Sequence, residues 1–453
     1  MQLRPPVTSS LGRWILPLAI ALLVLVSLFA ILIALIEPGP ATIDTDEAAF
    51  PEATPEAVGL SSDGLAYAVR QVEEWIAEDA ITGAILILIR DGKLVLHEAL
   101  GMDDRDHQVP MRKDQIVLMR SMTKPLIGTA TMMLAEEGLI AIHDPVSRYL
   151  PAWDTPESGE ITIFQLLTHT SGITGGIAIR SHPDLQTAIA AVGQRGPSHA
   201  PGTRYHYADA NSSTLGAIVE VVSGIPARSF VETRILEPLG MRDSYINDVP
   251  DHDRRLARTA AGYRGSAGDW RIYWQPGNPP RTPWWGGGAG GLYASGLDYA
   301  RFAAMLLNGG ELGGVRLLSE ESVAEMLKPH SSYVYSEDEL REVDQLYGFQ
   351  IRLESTYAEQ YDGNKAPGVF GHGGKEGTLF WVDPELDLIG LVLTQNNCNP
   401  HRRIWPRYVY QAILDHHNNQ AGRSGEAQVD LCRLATSPDE MPDSGQGACD
   451  VES

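Results

Sequence analysis

The predicted fold depends on the stretch Ser121-Met-Thr-Lys-Pro-Leu-Ile127, which sets a hydroxyl and an amine three residues apart at the start of an apolar helical pattern. Side chains three residues apart on a helix share one face, with about 5–6 Å between their Cβ atoms. Proline is tolerated only near the start of a helix, so Ser121 is predicted to lie at the helix N-terminus. Lys124 could serve as the base that activates the Ser121 hydroxyl if burial lowers its pKa. A Ser-x-x-Lys pattern also arises by chance, so the surrounding sequence must show whether this one is catalytic.

Strand patterns stand at both ends of the region around this helix. Residues 84–89 form an apolar β run, residues 90–93 carry an Asp-Gly turn signal, and residues 94–99 alternate, which predicts a hairpin. Two further strands are indicated at 378–382 and 388–394. Helical patterns fill the middle of the chain and one follows the last strand, at 126–137, 163–167, 185–192, 214–222, 298–307 and 403–416. The terminal strands can share one antiparallel sheet only if the chain returns to its start, which predicts an α+β fold with an inserted helical region.

An uncharged apolar stretch, residues 14–36, precedes the predicted domain. At about 1.5 Å per residue it is long enough to cross a hydrocarbon core of about 30 Å. Arg4 and Arg13 precede it and acidic residues follow, which predicts a cytoplasmic N-terminus over 1–13 and the rest of the chain on the periplasmic or extracellular side. The alternative is a cleaved signal peptide, whose apolar region normally covers about 7–15 residues.

Polar segments flank the predicted domain. Residues 37–56 contain Pro, Ala, Thr, Glu and Asp and are predicted to be a linker to a folded domain over 57–420. Residues 421–453 are polar and acidic and are predicted to be a disordered tail.

Composition and missing motifs exclude several classes of protein. The chain has 35 Lys and Arg against 58 Asp and Glu, a net charge of −23, so no nucleic-acid partner is predicted. No Cys/His spacing suggests zinc, and neither a metal nor an organic cofactor is expected. A Gly-x-Ser-x-Gly elbow and a His-Glu-x-x-His motif are also absent from the sequence. The three cysteines are an odd number, and whether Cys432 and Cys449 form a disulfide stays open.

Three longer segments carry a family resemblance. They are Gly-Leu-Ile-Ala-Ile-His-Asp-Pro-Val-Ser-Arg-Tyr-Leu-Pro at 138–151, Ile-Thr-Ile-Phe-Gln-Leu-Leu-Thr-His-Thr-Ser-Gly at 161–172 and Gly-Gly-Gly-Ala-Gly-Gly-Leu-Tyr-Ala-Ser at 286–295. With the Ser-x-x-Lys stretch they resemble the serine β-lactamase family, in the branch of class C β-lactamases, D-Ala-D-Ala carboxypeptidases and related esterases. The resemblance covers about 57–412 and implies a β-lactamase/transpeptidase-like fold, an antiparallel sheet flanked by helices plus a helical subdomain. His169 is interpreted as loop scaffolding.

The second motif of this family, Tyr-x-Asn, is matched at residues 207–209, with Asp209 in place of the usual asparagine. A related form, Tyr-Ser-Asp-x-Asn, would match Asn211. The resemblance implies that Tyr207 shares protons with Ser121 and Lys124 and can protonate the leaving group. It also implies that Asp209 and Asn211 bind substrate, although the charge of Asp209 leaves this open. Tyr205 is the rival candidate for the tyrosine.

The third motif, Lys-Thr-Gly in β-lactamases, is matched by His372-Gly373-Gly374, a form that resembles esterase-like members of the family. The resemblance implies that these three residues line the substrate site. It also implies that the backbone N–H groups of Ser121 and Lys375 form the oxyanion hole. A histidine in place of the lysine weakens the positive charge that would hold a substrate carboxylate, which favours an ester, amide or peptide substrate over efficient β-lactam hydrolysis.

These residues together predict a membrane-anchored serine hydrolase with an acyl-Ser121 intermediate. Its expected partners are a small-molecule or peptide substrate with an ester or amide bond and the lipid bilayer, through residues 14–36. A β-lactamase and a D-Ala-D-Ala carboxypeptidase are alternatives within the same class. A non-catalytic binding or scaffold protein on the same fold is the alternative from another class.

Overall fold

A computed structural model of the chain describes residues 50–247, 253–275, 285, 287–342, 345–354, 368–397 and 404–424. The chain divides into two compact units, Met1–Thr42 and Ile43–Ser453, and all described residues belong to the second. The predicted anchor at 14–36 lies outside the described residues. So do the three cysteines and most of the predicted tail.

Runs of consecutive strands and runs of consecutive helices follow one another along the described chain. The strands are β1 Gly83–Arg90, β2 Lys93–Asp104, β3 Val109–Pro110, β4 Ile116–Leu118, β5 Tyr245–Ile246, β6 Gly262–Arg264, β7 Arg271–Trp274, β8 Leu292–Ser295, β9 Glu311–Leu312, β10 Val315–Arg316, β11 Gln345–Tyr347, β12 Arg352–Glu354, β13 Phe370–Gly373, β14 Leu379–Asp383 and β15 Leu388–Leu393. The helices are α1 Ser62–Ala77, α2 Lys124–Glu136, α3 Ile163–Leu167, α4 Leu185–Arg195, α5 Asp209–Ser223, α6 Ala227–Val231, α7 Gly296–Leu307, α8 Glu320–Met326, α9 Glu337–Glu342 and α10 Trp405–Ser424.

The main sheet joins the two ends of the folded region. Its strand order is β11-β12-β13-β14-β15-β1-β2-β3, with antiparallel neighbours throughout. The last strand, β15, pairs with β1, where Ile85 stands opposite Leu393. The predicted hairpin is present, with Asp91 and Gly92 at φ of 51° and 66° in its two-residue turn. The predicted α+β fold with an antiparallel sheet is therefore confirmed.

Strand β1 is buried on both faces because the sheet is covered on both sides. Ile85, Ile87 and Ile89 face a core built with the middle helices. Leu86 and Leu88 face a second core that includes residues of α1 and α10. Alternate side chains of a strand point to opposite faces, so a strand between two cores reads as a continuous apolar run. This placement explains why the sequence shows no polar alternation over 84–89.

The described structure extends past two predicted boundaries. The folded domain begins before residue 57, because the Ala53 N–H donates to the Leu94 carbonyl oxygen at 3.0 Å and Phe50 is buried. The predicted linker over 37–56 therefore ends sooner than its composition indicated. At the other end, α10 continues to Ser424, beyond the predicted start of the tail at 421.

A search for membrane-spanning helices covered the described residues alone. Within them, no single helix has both the length and the apolar composition to cross a membrane. One bent pair, Asp209–Ser223 with Ala227–Leu236 at 84°, satisfies the same criteria by length and composition. Many of its side chains are buried in the domain core.

Helix α5 packs on α2 and on the glycine-rich segment before β8 at the same time. Gly216 of α5 lies so close to Gly287 that an added Cβ would overlap the Gly287 carbonyl oxygen. A glycine inside a helix lowers stability by about 1 kcal/mol relative to alanine. Glycine at this position therefore allows the close approach at the expense of helix propensity. The close contact fixes the glycine-rich segment beside the N-terminal half of α2.

Replacing Gly216 with alanine should therefore destabilise the protein, by about 1–3 kcal/mol, because the new methyl group forces α5 and Gly287 apart. Helix propensity alone predicts the opposite sign, a gain of about 1 kcal/mol. The free energy of unfolding from denaturant titration measures the difference. Val221→Ala, at an exposed position on the same helix, is the matched control and should change the stability little. A Gly216→Ala protein as stable as the wild type would contradict the close approach.

Candidate active site

Ser121 lies in a 3-10 turn, Arg120–Thr123, that runs directly into α2. Arg120 has a φ of 50°, in the left-handed region that a non-glycine residue seldom adopts. The Thr123 hydroxyl donates to the Arg120 carbonyl oxygen at 2.7 Å and accepts from the Leu292 N–H at 3.2 Å. The turn is thereby tied to β8. The predicted position of Ser121, at the start of a helix, is confirmed.

Lys124 is fully buried and its amine faces three oxygen atoms. Its Nζ donates to Ser121 Oγ at 3.2 Å, to Asp209 Oδ1 at 2.5 Å and to the Ala289 carbonyl oxygen at 2.9 Å. An ammonium has three N–H donors, so all of them find an acceptor here. Lys124 is therefore held in one orientation, with the nucleophile as one of its partners.

The carboxylate of Asp209 changes the acid–base behaviour of Lys124. Burial by itself lowers the pKa of Lys124, but the charge of Asp209 and the nearby Tyr207 hydroxyl raise it by more. The net pKa of Lys124 lies above its ordinary value. The condition under which Lys124 could act as a neutral base, a pKa lowered by burial, is therefore not met in the resting site. An opposite charge at hydrogen-bond distance stabilises the charged form more than desolvation destabilises it.

Tyr207 lies against the same amine. The Lys124 Nζ is 4.7 Å from the centre of the Tyr207 ring, and the buried Tyr207 hydroxyl has no hydrogen-bond partner among the described residues. Arg352 approaches the ring as well, with its guanidinium carbon 5.5 Å from the ring centre. The rival Tyr205 instead packs on Tyr347, with ring centres 5.6 Å apart. The geometry therefore favours Tyr207 as the tyrosine of the site.

His169 packs against the ring of Tyr207. Its ring stacks on Tyr207 with centres 4.7 Å apart, and its Nδ1 accepts from the Ala208 N–H at 3.2 Å. Burial lowers the pKa of His169 well below its usual range, so the ring is neutral. This placement agrees with the interpretation of His169 as loop scaffolding.

Asn211 belongs to the same buried support as His169. Its amide is fully buried, with Oδ1 accepting from the Ser171 hydroxyl at 2.5 Å and Nδ2 facing His169 Nδ1 at 3.1 Å. The prediction that Asn211 binds substrate is not met by this geometry, because both ends of the amide are engaged inside the protein. Asp209, by contrast, is the first residue of α5 and its side chain is 36% exposed.

His372 occupies a similar buried position on β13. Its Nδ1 lies 2.7 Å from the Gly373 carbonyl oxygen, which makes Nδ1 the protonated nitrogen, and its Nε2 lies 2.6 Å from the Tyr347 hydroxyl. Burial, followed by the charges of Arg352 and Lys124, lowers the pKa of His372 well below its usual range. The neutral ring is 1% exposed and packs against Tyr207, and the contact of its side chain with substrate stays a prediction.

The two glycines after His372 bring β13 to the nucleophile. Gly373 pairs with Leu379 in the β13–β14 hairpin, and Gly374 begins its turn. A Cβ on Gly374 would overlap the Met119 carbonyl oxygen, two residues before Ser121. The turn that contains Lys375 therefore lies against the segment that contains Ser121. Proximity of these two segments is one condition for the predicted oxyanion hole of two backbone N–H groups.

Arg352 and Glu376 are site residues that the sequence motifs did not reveal. Arg352 reaches the tyrosine layer because β12 pairs with β13, placing Arg352 opposite Gly371. Glu376 is buried beside Arg120 at 2.6 Å. Both contacts join residues far apart in sequence, so no local pattern predicts them. The described residues contain no group of three or more His, Cys, Asp or Glu side chains able to hold a metal ion.

Comparisons with known proteins identify the family of this chain. The family model described as "Beta-lactamase" matches residues 68–413. An uncharacterised protein of Mycobacterium tuberculosis is 30% identical over 375 residues, which cover 74% of this chain and 90% of the relative. Esterase EstB of Burkholderia gladioli is 32% identical over 221 residues, 44% of this chain and 56% of the esterase.

Solved structures show the same fold. EstCE1, described as a hydrolase with promiscuous acyltransferase activity, superposes with a TM-score of 0.64 at 22% identity, covering 78% of this chain and 98% of its own. The octameric penicillin-binding protein homologue from Pyrococcus abyssi gives a TM-score of 0.61 at 24% identity, covering 80% of this chain and 78% of its own. The family model spans most of the folded domain, and these matches confirm the resemblance. The chain therefore belongs to the beta-lactamase family.

Proposed function

We propose that this protein is a membrane-anchored serine hydrolase that cleaves an ester or amide through a covalent acyl-Ser121 intermediate. The observation that carries the proposal is the 3.2 Å contact between Lys124 Nζ and Ser121 Oγ, with the Tyr207 ring 4.7 Å from the same amine. A nucleophile within hydrogen-bond reach of an acid–base group, itself oriented by a third group, is the arrangement that acyl transfer requires. A scaffold protein would have no need of this arrangement.

The proton of Ser121 passes to the pair formed by Lys124 and Tyr207. Because Asp209 raises the pKa of Lys124, the resting Lys124 is protonated, and the active form is the one in which Lys124 has lost its proton. As Ser121 Oγ attacks the carbonyl carbon, the pair accepts the serine proton and later donates it to the leaving group. Backbone N–H groups of Ser121 and Lys375 receive the developing oxyanion. Water then hydrolyses the acyl-enzyme by the same proton path in reverse.

The charges around the cleft favour a neutral acyl substrate. Asp209 presents a partly exposed carboxylate beside Lys124, and His372 is neutral where β-lactamases have a lysine. A substrate carboxylate would meet a like charge at Asp209, which costs free energy. This argues for an ester or a neutral amide over a β-lactam or a D-Ala-D-Ala peptide. The similarity to esterase EstB supports the same choice.

Anchoring to the membrane by residues 14–36 is the second part of the proposal. The length and uncharged composition of this stretch, with arginines before it and acidic residues after it, support an uncleaved span with the hydrolase domain on the periplasmic or extracellular side. A tethered hydrolase would act on substrates at or near the membrane surface.

Replacing Ser121 with alanine should remove both hydrolysis and covalent labelling. We expect the rate of p-nitrophenyl acetate hydrolysis to fall by about 10³-fold or more, and a fluorophosphonate probe to stop labelling the protein, because the only proposed nucleophile is gone. Ser198→Ala, an exposed serine outside the site, is the matched control and should behave as wild type. Equal labelling of wild type and Ser121→Ala would refute the proposed nucleophile.

Replacing Asp209 with asparagine should move the pH dependence of the reaction. Since the Asp209 charge raises the pKa of Lys124, its removal lowers that pKa, and the rise of kcat/KM with pH shifts to lower pH. Activity near neutral pH should therefore increase, provided that substrate binding is unchanged. Profiles of kcat/KM for p-nitrophenyl acetate measure the shift. Asp154→Asn, at an exposed position, is the control for removing one negative charge. A profile that moves to higher pH would rule out the Lys124–Tyr207 pair as proton acceptor.

The full-length chain should stay with the membrane fraction when membranes are washed with alkaline carbonate, because a spanning apolar helix is not released by charge or pH. Mass spectrometry of the purified protein should find the segment 14–36 still attached. Release into the supernatant together with a shortened N-terminus would instead establish the cleaved signal peptide.

A further inference from the structure

A buried ion pair lies next to the nucleophile and is not explained by the chemistry above. Arg120 donates to Glu376 Oε1 through its Nε at 2.7 Å, and its Nη2 lies 2.6 Å from the same oxygen. The Tyr273 hydroxyl joins them, donating to Glu376 Oε1 at 2.5 Å and accepting from Arg120 Nη2 at 2.9 Å. These three residues are called the Arg120 cluster.

The Arg120 cluster is charged and largely removed from water. The Glu376 side chain is 2% exposed and that of Arg120 is 32% exposed. Burial lowers the pKa of Arg120, but Glu376 and Tyr273 raise it by more, so the guanidinium keeps its charge. Breaking a buried pair by removing one partner is far more costly than losing a surface pair, so the geometry is strongly held.

The position of the Arg120 cluster in the chain points to its role. Arg120 immediately precedes Ser121, and Glu376 immediately follows Lys375. The two residues are 256 positions apart in sequence, and each adjoins one of the two backbone N–H groups assigned to the oxyanion hole. Side chains of the cluster therefore connect the two segments from which these donors come.

Further contacts fix each segment to the rest of the domain. The Thr378 hydroxyl donates to the Met119 carbonyl oxygen at 3.3 Å, beside the close approach of Gly374 to the same residue. The Thr394 hydroxyl of the segment after β15 donates to the Glu376 carbonyl oxygen at 3.0 Å. The left-handed backbone of Arg120 is held within this network, which is where a costly conformation can persist.

We propose that the Arg120 cluster is a positioning device that sets the distance and direction of the Ser121 and Lys375 N–H groups relative to each other. The inference rests on the proposed acyl-Ser121 function. A direct role for Arg120 in binding a substrate carboxylate is disfavoured, because Glu376 already neutralises its charge at 2.6 Å. Arg120, Glu376 and Tyr273 thus act through the backbone groups and do not touch the reacting atoms.

An oxyanion hole stabilises the transition state and leaves substrate binding nearly unchanged, so the cluster should affect kcat and not KM. Glu376→Gln keeps the shape of the side chain and one acceptor oxygen but removes the charge that holds Arg120. We expect kcat for p-nitrophenyl acetate to fall about 10-fold to 100-fold, the range that small misplacement of catalytic groups produces, with KM changed less than about threefold.

A second readout reports on the oxyanion hole itself. The measured quantity is kcat/KM for an oxygen ester divided by kcat/KM for its thiono analogue. Two aligned N–H donors bind a developing oxyanion better than the larger sulfur, which is the weaker acceptor, so this ratio reports their alignment. This ratio should fall in Glu376→Gln, whereas a general loss of folded protein would lower both rates equally. Glu232→Gln, which removes another arginine-paired glutamate away from the site, is the matched control and should keep the wild-type ratio.

Tyr273→Phe provides the test if Glu376→Gln fails to fold. It removes one hydroxyl from the cluster and should lower kcat and the oxygen-to-thiono ratio in the same direction by a smaller factor. The positioning role would be overturned if a folded Glu376→Gln protein kept the wild-type kcat, KM and oxygen-to-thiono ratio. If Glu376→Gln does not fold, the same result in Tyr273→Phe would overturn it. Either result would leave the acyl-Ser121 function standing. Failure of the wild type to be labelled at Ser121 would overturn the function itself.

Discussion

The arrangement of the candidate site depends on the buried ammonium of Lys124. A fully buried charge is tolerated only when its hydrogen-bonding groups are satisfied, and here Ser121, Asp209 and the Ala289 carbonyl oxygen satisfy them. These acceptors come from the nucleophile turn, from the first residue of α5 and from the glycine-rich segment before β8. The need to satisfy one cation thus brings three separate parts of the chain together at the candidate cleft.

The antiparallel sheet brings a fourth segment to the candidate site. Because β15 returns to pair with β1, the β13–β14 hairpin is carried to the segment before Ser121. Gly374 permits backbone contact there, and the Arg120 cluster joins the same two segments through side chains. The sheet therefore determines where the second proposed oxyanion donor lies.

Two neutral histidines and a layer of tyrosines form the wall behind Lys124. His169 and His372 are both buried beside Tyr207, and burial lowers the pKa of each well below its usual range. Among the described residues, Lys124 and Arg352 lie over the Tyr207 ring, and Asp209 pairs with Lys124. Asp209, which stands where the family motif has asparagine, is the charge that raises the pKa of Lys124.

The sequence by itself determined the features that depend on neighbours along the chain. Helix periodicity placed Ser121 and Lys124 on one face, the Asp-Gly turn located the first hairpin, and the motif order indicated the family and the α+β fold. The protonation of Lys124, the burial of Asn211 and His372, and the contacts of Arg352 and Glu376 were decided by tertiary structure alone. Asp209 is 85 residues from Lys124 in sequence yet 2.5 Å away in space. Electrostatic energies follow distance and burial, and neither quantity exists until α5 packs on α2 and the sheet closes.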